Sequence, residues 1–279
     1  MYADLHLHSM CSDGTDTPLE LIKLAKKNDV QVISITDHDS IAAYKMLSNE
    51  QIPKDIELIT GAEISVESNH NMIHILGYYI DIFDKRFENL LAKMAVEKTE
   101  NTRLNFENAV SKNIFSYDWK RVLELNADQP RISGVHVVKA MRIDGYNPGM
   151  DLWDMFHKYF FPTNIDYISI STIGAYEAID VIKTVGGISV IAHPVWVYDN
   201  VVLDLISYGA QGLEVYHPDH SEEQISKYLR IAKEKNLYIS GGTDWHGKNN
   251  GANVTHFAMC GLADENYEIL KVGSRFKSK

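Results

Sequence analysis

Short apolar runs that end in a histidine or a carboxylate recur along this chain, separated by helical patterns. Residues 32–36 run into Asp37-His38, and 57–60 lead to Gly61-Ala62-Glu63. Residues 188–192 end at His193-Pro194, and 212–216 end at His217. Residues 238–240 pass through Gly241-Gly242-Thr243 to Asp244 and His246. Helical patterns at 18–27, 41–47, 173–185 and 221–235 lie between and around these runs. Two of them open with capping boxes, Thr17 with Glu20 around Pro18 and Ser221 with Gln224. Alternating strands and helices imply an α/β fold with a mostly parallel sheet. In such a sheet the strand C-termini face a common site. At least five polar strand ends are better explained by one shared pocket than by separate coincidences.

The N-terminus adds to the set. Residues 2–7 alternate, so Asp4, His6 and His8 share one face while Ala3, Leu5 and Leu7 share the other. Imidazoles at i and i+2 on a strand can chelate one metal. Asp4 is placed to orient a ligand from behind, or is an ordinary polar strand residue. Asp13 lies in a Ser-Asp-Gly turn, and His74 lies inside the apolar run 73–76, where a hydrogen-bonded core histidine is the alternative. The candidate ligands are then His6, His8, Asp13, His38, Glu63, His74, His193, Asp244 and His246, all nitrogen or oxygen donors. One metal takes three to four protein ligands, so this set suits two or three divalent ions. Mixed histidine and carboxylate donors suit Mn, Zn or Fe.

Residues 83–167 break the rhythm. They read as helices at 85–112, 117–125, 135–143 and 151–159, with no strand carrying a polar end. The expected organisation is a barrel domain from 1–82 and 168–279, with 83–167 as an inserted helical subdomain serving as a substrate cap. Trp153, Phe156, Tyr159 and Phe160 fall near helical spacing and read as core. His70, His157 and His256 have no supporting pattern, and Lys248 reads as a solvated loop residue.

Composition excludes several classes. The 279 residues carry 27 Lys and Arg against 38 Asp and Glu, a net charge of −11, which lacks the basic footprint of a duplex-DNA binder. Cys11 and Cys260 do not make a disulfide framework. The opening MYADLHLH has no signal-peptide character, and no apolar run has membrane-spanning length. A soluble cytoplasmic protein with no membrane partner is expected.

The segments DLHLHSMCSDGT, SITDHDS, GAEIS, HILGYYID, VIAHP, GLEVYHPDHS and SGGTDWHG, in this order over nearly the whole chain, resemble the PHP (polymerase and histidinol phosphatase) family. The likeness is nearest to its stand-alone bacterial nucleotide phosphoesterases. It implies a distorted seven-stranded (β/α) barrel with a trinuclear metal site. By resemblance, His6, His8, Glu63 and Asp244 hold one ion. Glu63 bridges to a second, completed by His74 and His193, and Asp13, His38 and His246 hold a third. The implied activity is hydrolysis of a phosphate monoester by a hydroxide bridging the metals. The substrate is a nucleoside 3′,5′-bisphosphate or 5′-monophosphate, with short oligoribonucleotides also possible. Asp37 is a candidate to orient a ligand or the nucleophile. His217 and His220 are candidates to contact phosphate or protonate the leaving group, with a solvated loop as the alternative.

The chain departs from the family pattern in one place. Gly134 stands where relatives carry the arginine of an Arg-Pro-His motif that grips phosphate. Arg131 is the candidate replacement, since a guanidinium binds phosphate bidentately, and His136 is retained. Residues 160–162 also lack the family's glycine-rich form. The competing readings are a histidinol-phosphate or other sugar-phosphate phosphatase, a non-catalytic metal-binding module, and C–N hydrolysis on a related barrel.

Overall fold

The structure is a computed structural model that describes residues 2–68, 71–160, 167–248 and 254–275. His70, Phe161 and Pro162 lie outside the described residues. The chain divides into two compact units, Met1–Leu91 with Ile173–Lys279, and Ala92–Thr172.

The first unit is built on one eight-stranded sheet. Its strands are β1 (Tyr2–Leu7), β2 (Val32–Ile35), β3 (Glu57–Ser68), β4 (Asn71–Tyr78), β5 (Ile188–Ile191), β6 (Gly212–Tyr216), β7 (Tyr238–Gly241) and β8 (Leu262–Ala263). They lie in the order β7-β6-β5-β4-β3-β2-β1-β8. The sheet is nearly closed into a barrel. Leu7 bridges Trp245 in parallel, and the His8 N–H donates to the Trp245 carbonyl at 2.8 Å. Strands β1, β2 and β3 are parallel, as are β5, β6 and β7. β4 runs antiparallel to both β3 and β5. The connection from β3 to β4 is too short for a crossover helix, so those two strands form a hairpin.

Two differences from expectation have physical causes. The count is eight strands rather than seven, because β8 is a two-residue strand pairing Tyr2 with Ala263 and Ala3 with Leu262. Two residues carry no periodicity to read. The second helix past β5, described below, follows a bare Tyr198 with no side-chain cap, so its start leaves no sequence signal.

Helices α1 (Pro18–Lys27) and α2 (Ala42–Leu47) follow β1 and β2, and α3 (Lys85–Ser111) follows β4. Thr17 accepts the Glu20 N–H at 3.2 Å, and the Glu20 carboxylate accepts the Thr17 N–H at 2.7 Å, which closes the α1 capping box. The second unit holds the rest of α3 with α4 (Trp119–Leu125), α5 (Gly134–Ile143) and α6 (Leu152–Phe160). Its own core includes Phe106, Phe115, Val122, Val138, Met141, Met155, Tyr159 and Phe160, with Trp153 and Phe156 packed against it. Back in the first unit, α7 (Ala175–Thr184), α8 (Asp199–Tyr208), α9 (Glu222–Lys235) and α10 (Asp264–Arg275) complete the chain. The barrel core joins Leu5, Val32, Ile59, Leu76, Tyr78, Val190, Leu262 and Tyr267. Among the described residues, no helix is long and apolar enough to cross a membrane.

Candidate metal centre

The strand ends of the first unit converge. β1 delivers His6, with His8 one residue beyond it, and Asp13 follows in the loop. His38 lies past β2, Glu63 and His74 on the β3–β4 hairpin, His193 past β5, and Asp244 and His246 past β7. Closing the ring needs β7 to approach β1 at backbone distance. A Cβ on Gly242 would lie 2.3 Å from the His6 nitrogen and 2.4 Å from its Cβ, so only glycine fits there. His193 and Asp244 both hold left-handed backbone angles, φ 24° and 51°. Such strain at non-glycine residues gathers at functional sites.

Glu63 is at the centre and fully buried. Its Oε2 lies 3.3 Å from His6 Nε2, 3.1 Å from His8 Nε2 and 3.0 Å from His38 Nδ1. Its Oε1 lies 2.9 Å from His74 Nδ1 and 3.0 Å from His193 Nε2, which are 3.2 Å from one another. Asp244 Oδ1 stands 3.4 Å from His6 Nε2 and 3.0 Å from His8 Nε2. Asp13 Oδ1 stands 3.2 Å from His246 Nε2, and Asp13 Oδ2 stands 3.8 Å from His38 Nε2.

Three groups bring donor atoms within 4.8 Å of one another: His6, His8, Glu63 and Asp244; His8, Asp13, His38 and His246; and His38, Glu63 and His74. His193 faces the last of these through Glu63 Oε1. His6 Nε2, both nitrogens of His8 and Glu63 Oε2 are buried without a hydrogen bond of good geometry. Buried polar atoms are ordinarily paired. Lone-pair donors gathered this closely fit a divalent cation between them better than they fit one another.

The electrostatics agree. Burial would raise the Glu63 carboxyl, yet His38, His74 and His6 hold it well below the usual range. Burial would likewise raise Asp244 and Asp13, but the surrounding imidazoles keep both well below it. All three remain ionised. Burial opposes charging His6, but Glu214, Glu63 and Asp244 outweigh it and raise the imidazole well above its ordinary value. His8, opposed by burial and favoured by Asp244 and Glu63, is pushed up to about 10.

Behind the donors stands a supporting layer, and one member of it was not singled out from sequence. Glu214, fully buried on β6, faces His6 Nδ1 at 2.9 Å through one oxygen and accepts the His193 N–H at 2.7 Å through the other. A carboxylate inside the apolar run GLEVY was the available signal, since burying it unpaired is costly. Asp4 accepts the N–H and hydroxyl of Thr243 at 2.9 and 2.6 Å, so it positions the residue before Asp244. Asp37 is turned to the loop after β1, accepting from Ser9 N–H, Ser9 Oγ and Ser12 Oγ, each at 2.7 Å. It shapes the loop that carries Asp13.

His217 Nε2 lies 3.5 Å from Asp244 Oδ2, and its Nδ1 accepts the Asp219 N–H at 3.2 Å. That acceptance places the His217 proton on Nε2, on the side of Asp244. His220 is turned to the backbone. Its Nδ1 donates to the Val215 carbonyl at 2.9 Å, burial lowers its pKa, and its ring packs 5.3 Å from that of His217.

Arg131 and His136 belong to the second unit, and both are buried. His136 occupies the third position of α5, and its Nδ1 accepts the Ser133 N–H at 3.0 Å, closing a capping box usually made by Glu or Gln. The space beside Gly134 is filled, since a Cβ there would meet the Phe156 ring at 2.6 Å and Phe160 at 3.2 Å. Packing of α6 on α5 therefore explains the absence of a side chain at 134. His157, His256 and Lys248 are exposed.

The PHP domain pattern matches residues 4–240. The chain belongs to the PHP domain family. A phosphoribosyl 1,2-cyclic phosphate 1,2-diphosphodiesterase of Eggerthella lenta is 27% identical over 252 residues, covering 89% of this chain and 95% of that one. A 3′,5′-nucleoside bisphosphate phosphatase of Chromobacterium violaceum is 28% identical, covering 89% and 88%. The 5′-3′ exoribonuclease Rnm of Salmonella typhimurium is 30% identical, covering 87% and 84%. Among solved structures, a Bifidobacterium adolescentis protein described as a candidate metal-dependent phosphoesterase superposes with a TM-score of 0.84 at 25% identity, covering 97% and 96%. A Chromobacterium violaceum protein described as an amidohydrolase, with sulfate bound and no metal, gives 0.79 at 26%, covering 98% and 97%.

Proposed function

We propose that this PHP protein is a metal-dependent phosphoesterase that removes phosphate from a small nucleotide. The leading substrates are nucleoside 3′,5′-bisphosphates and 5′-monophosphates, with short oligoribonucleotides, joined by phosphodiesters, as a further substrate for the same site. The reading rests chiefly on Glu63, whose two oxygens face two different sets of histidines. A carboxylate so placed can bridge two cations. Nucleotide and oligonucleotide substrates in the names of two relatives support the substrate class, and a third is named for a phosphoribosyl cyclic phosphate.

His6, His8, Glu63 and Asp244 would hold one ion; Glu63, His74 and His193 a second; Asp13, His38 and His246 a third. Mn, Zn or Fe suits these donors. Bound there, such ions supply a lowered water pKa and compensate the charge of the phosphate oxygens. The chain does the rest. Asp37 and Asp4 fix the segments carrying Asp13 and Asp244, and Glu214 fixes His6 and the backbone of His193. His217 Nε2–H would donate a hydrogen bond to a phosphate oxygen, while water adds to phosphorus, the ester P–O bond breaks and the proton lost by the water ends on the leaving oxygen. The products are the nucleoside hydroxyl and inorganic phosphate.

The test is phosphate release from adenosine 3′,5′-bisphosphate with Mn²⁺ and with chelator, for the wild type and for Asp244→Asn. Metal-dependent release that falls to the chelator background in the variant supports the reading. No release by metal-loaded protein from this ester or from histidinol phosphate overturns it in favour of a non-catalytic module. Arg131→Lys enters the same assay. If Arg131 grips phosphate, loss of the planar fork raises KM and leaves kcat nearly unchanged.

A further inference from the structure

We infer that Trp196 is a stacking surface for the nucleobase, and that it selects esters carrying a planar ring over sugar phosphates without one. The inference rests on the phosphoesterase reading above and extends it to substrate choice.

Three observations carry it. Trp196 is 56% exposed, whereas Trp245 is buried and Trp119 and Trp153 are half-buried. An indole left in solvent forgoes the burial that its large apolar surface favours. It is also held firmly. The left-handed backbone at His193 turns the chain sharply after β5, and Pro194 opens a 3₁₀ turn. The Trp196 N–H donates to the His193 carbonyl and the Val197 N–H to the Pro194 carbonyl, each at 3.1 Å. Pro194 and Val197, on either side, are buried. The exposure of Trp196 therefore belongs to an anchored turn. Third, the ring is beside the chemistry. Its centroid lies 4.3 Å from that of His193, a candidate ligand, and 5.6 Å from that of His217, which it meets nearly edge-on at 79°.

A phosphate bound among the donors thus leaves its organic portion within reach of an indole face. Base–aromatic stacking tolerates any base, because every base has a π-face. Trp196 therefore favours nucleotides as a class without choosing among bases, and it strengthens binding more than it alters the bond-breaking step.

The experiment compares kcat/KM for adenosine 5′-monophosphate and ribose 5-phosphate in the wild type, Trp196→Ala and Trp196→Phe, all loaded with Mn²⁺. The ratio between the two substrates is expected to fall about tenfold in Trp196→Ala, through KM rather than kcat, and to recover in Trp196→Phe. An unchanged ratio, with both substrates slowed alike, overturns the inference and leaves Trp196 as a prop for His193 and His217. The phosphoesterase reading survives that result, since the wild type still hydrolyses both esters. A second readout needs no turnover. Adenosine 5′-monophosphate should quench the tryptophan fluorescence of metal-loaded wild type and not that of Trp196→Phe, while ribose 5-phosphate should quench neither. Equal quenching in both proteins overturns the inference.

Discussion

Glu214 joins two of the converging strands by gripping His6 through its ring and His193 through its backbone. Carboxylates behind histidine ligands fix the ring orientation and raise its basicity, and their loss typically costs about 10–100-fold in metal affinity. Glu214→Gln keeps the shape and removes the charge. It is expected to weaken Mn²⁺ binding by about tenfold or more, measured by calorimetric titration, while the far-ultraviolet circular dichroism stays unchanged. The same titration reads protonation. His6 lies well above its ordinary pKa and His8 is pushed up to about 10, so both hold protons at neutral pH in the metal-free pocket. A cation must displace them. Metal uptake at pH 7 is therefore expected to release protons, seen as a binding enthalpy that varies with the ionisation enthalpy of the buffer. Apparent affinity should rise between pH 6 and 9. In sequence, Glu214 was hidden by its neighbour. The histidine at the strand end is legible as a polar terminus, while the carboxylate three residues earlier reads as part of an apolar strand. Asp37 shows the converse. Its place at the end of β2 is legible, but the side to which it turns depends on Ser9 and Ser12, which no periodicity reveals.

At the scale of elements, much was written in the chain. The capping boxes of α1 and α9 and the ends of β2, β5, β6 and β7 follow from local chemistry, each readable within about ten residues. The antiparallel turn of β4 and the short β8 do not, because both are set by pairing with distant strands. The contact between β7 and β1 is of this non-local kind, and Gly242 makes it possible. Gly242→Ala would force a Cβ into the His6 backbone. A loss of about 1–3 kcal/mol of stability is expected, typical of an overpacked site. Gly149→Ala, where a Cβ would meet nothing within 4 Å, is the control and should leave the melting temperature unmoved. Differential scanning calorimetry of the two variants checks both statements.

For the whole molecule, the centre is a store of opposed charge. Three carboxylates, two of them buried, and six imidazoles share one centre, and a cation that binds only the folded state stabilises it by mass action. At a hundredfold excess over its dissociation constant, Mn²⁺ is expected to add about 2.7 kcal/mol. Chelator should reverse the resulting rise in melting temperature, and Asp244→Asn should blunt it. A metal-independent melting temperature would contradict the grouping of these donors. The sheet order has a further consequence for how the protein is made. Asp4 and Thr243, which meet where the barrel closes, are 239 positions apart. A chain emerging from the ribosome carries His6 and His8 long before Asp244 and His246 exist. The two four-donor groups are therefore completed only after β7, and a truncated product that stops short of it lacks Asp244 and His246, two of the nine donors.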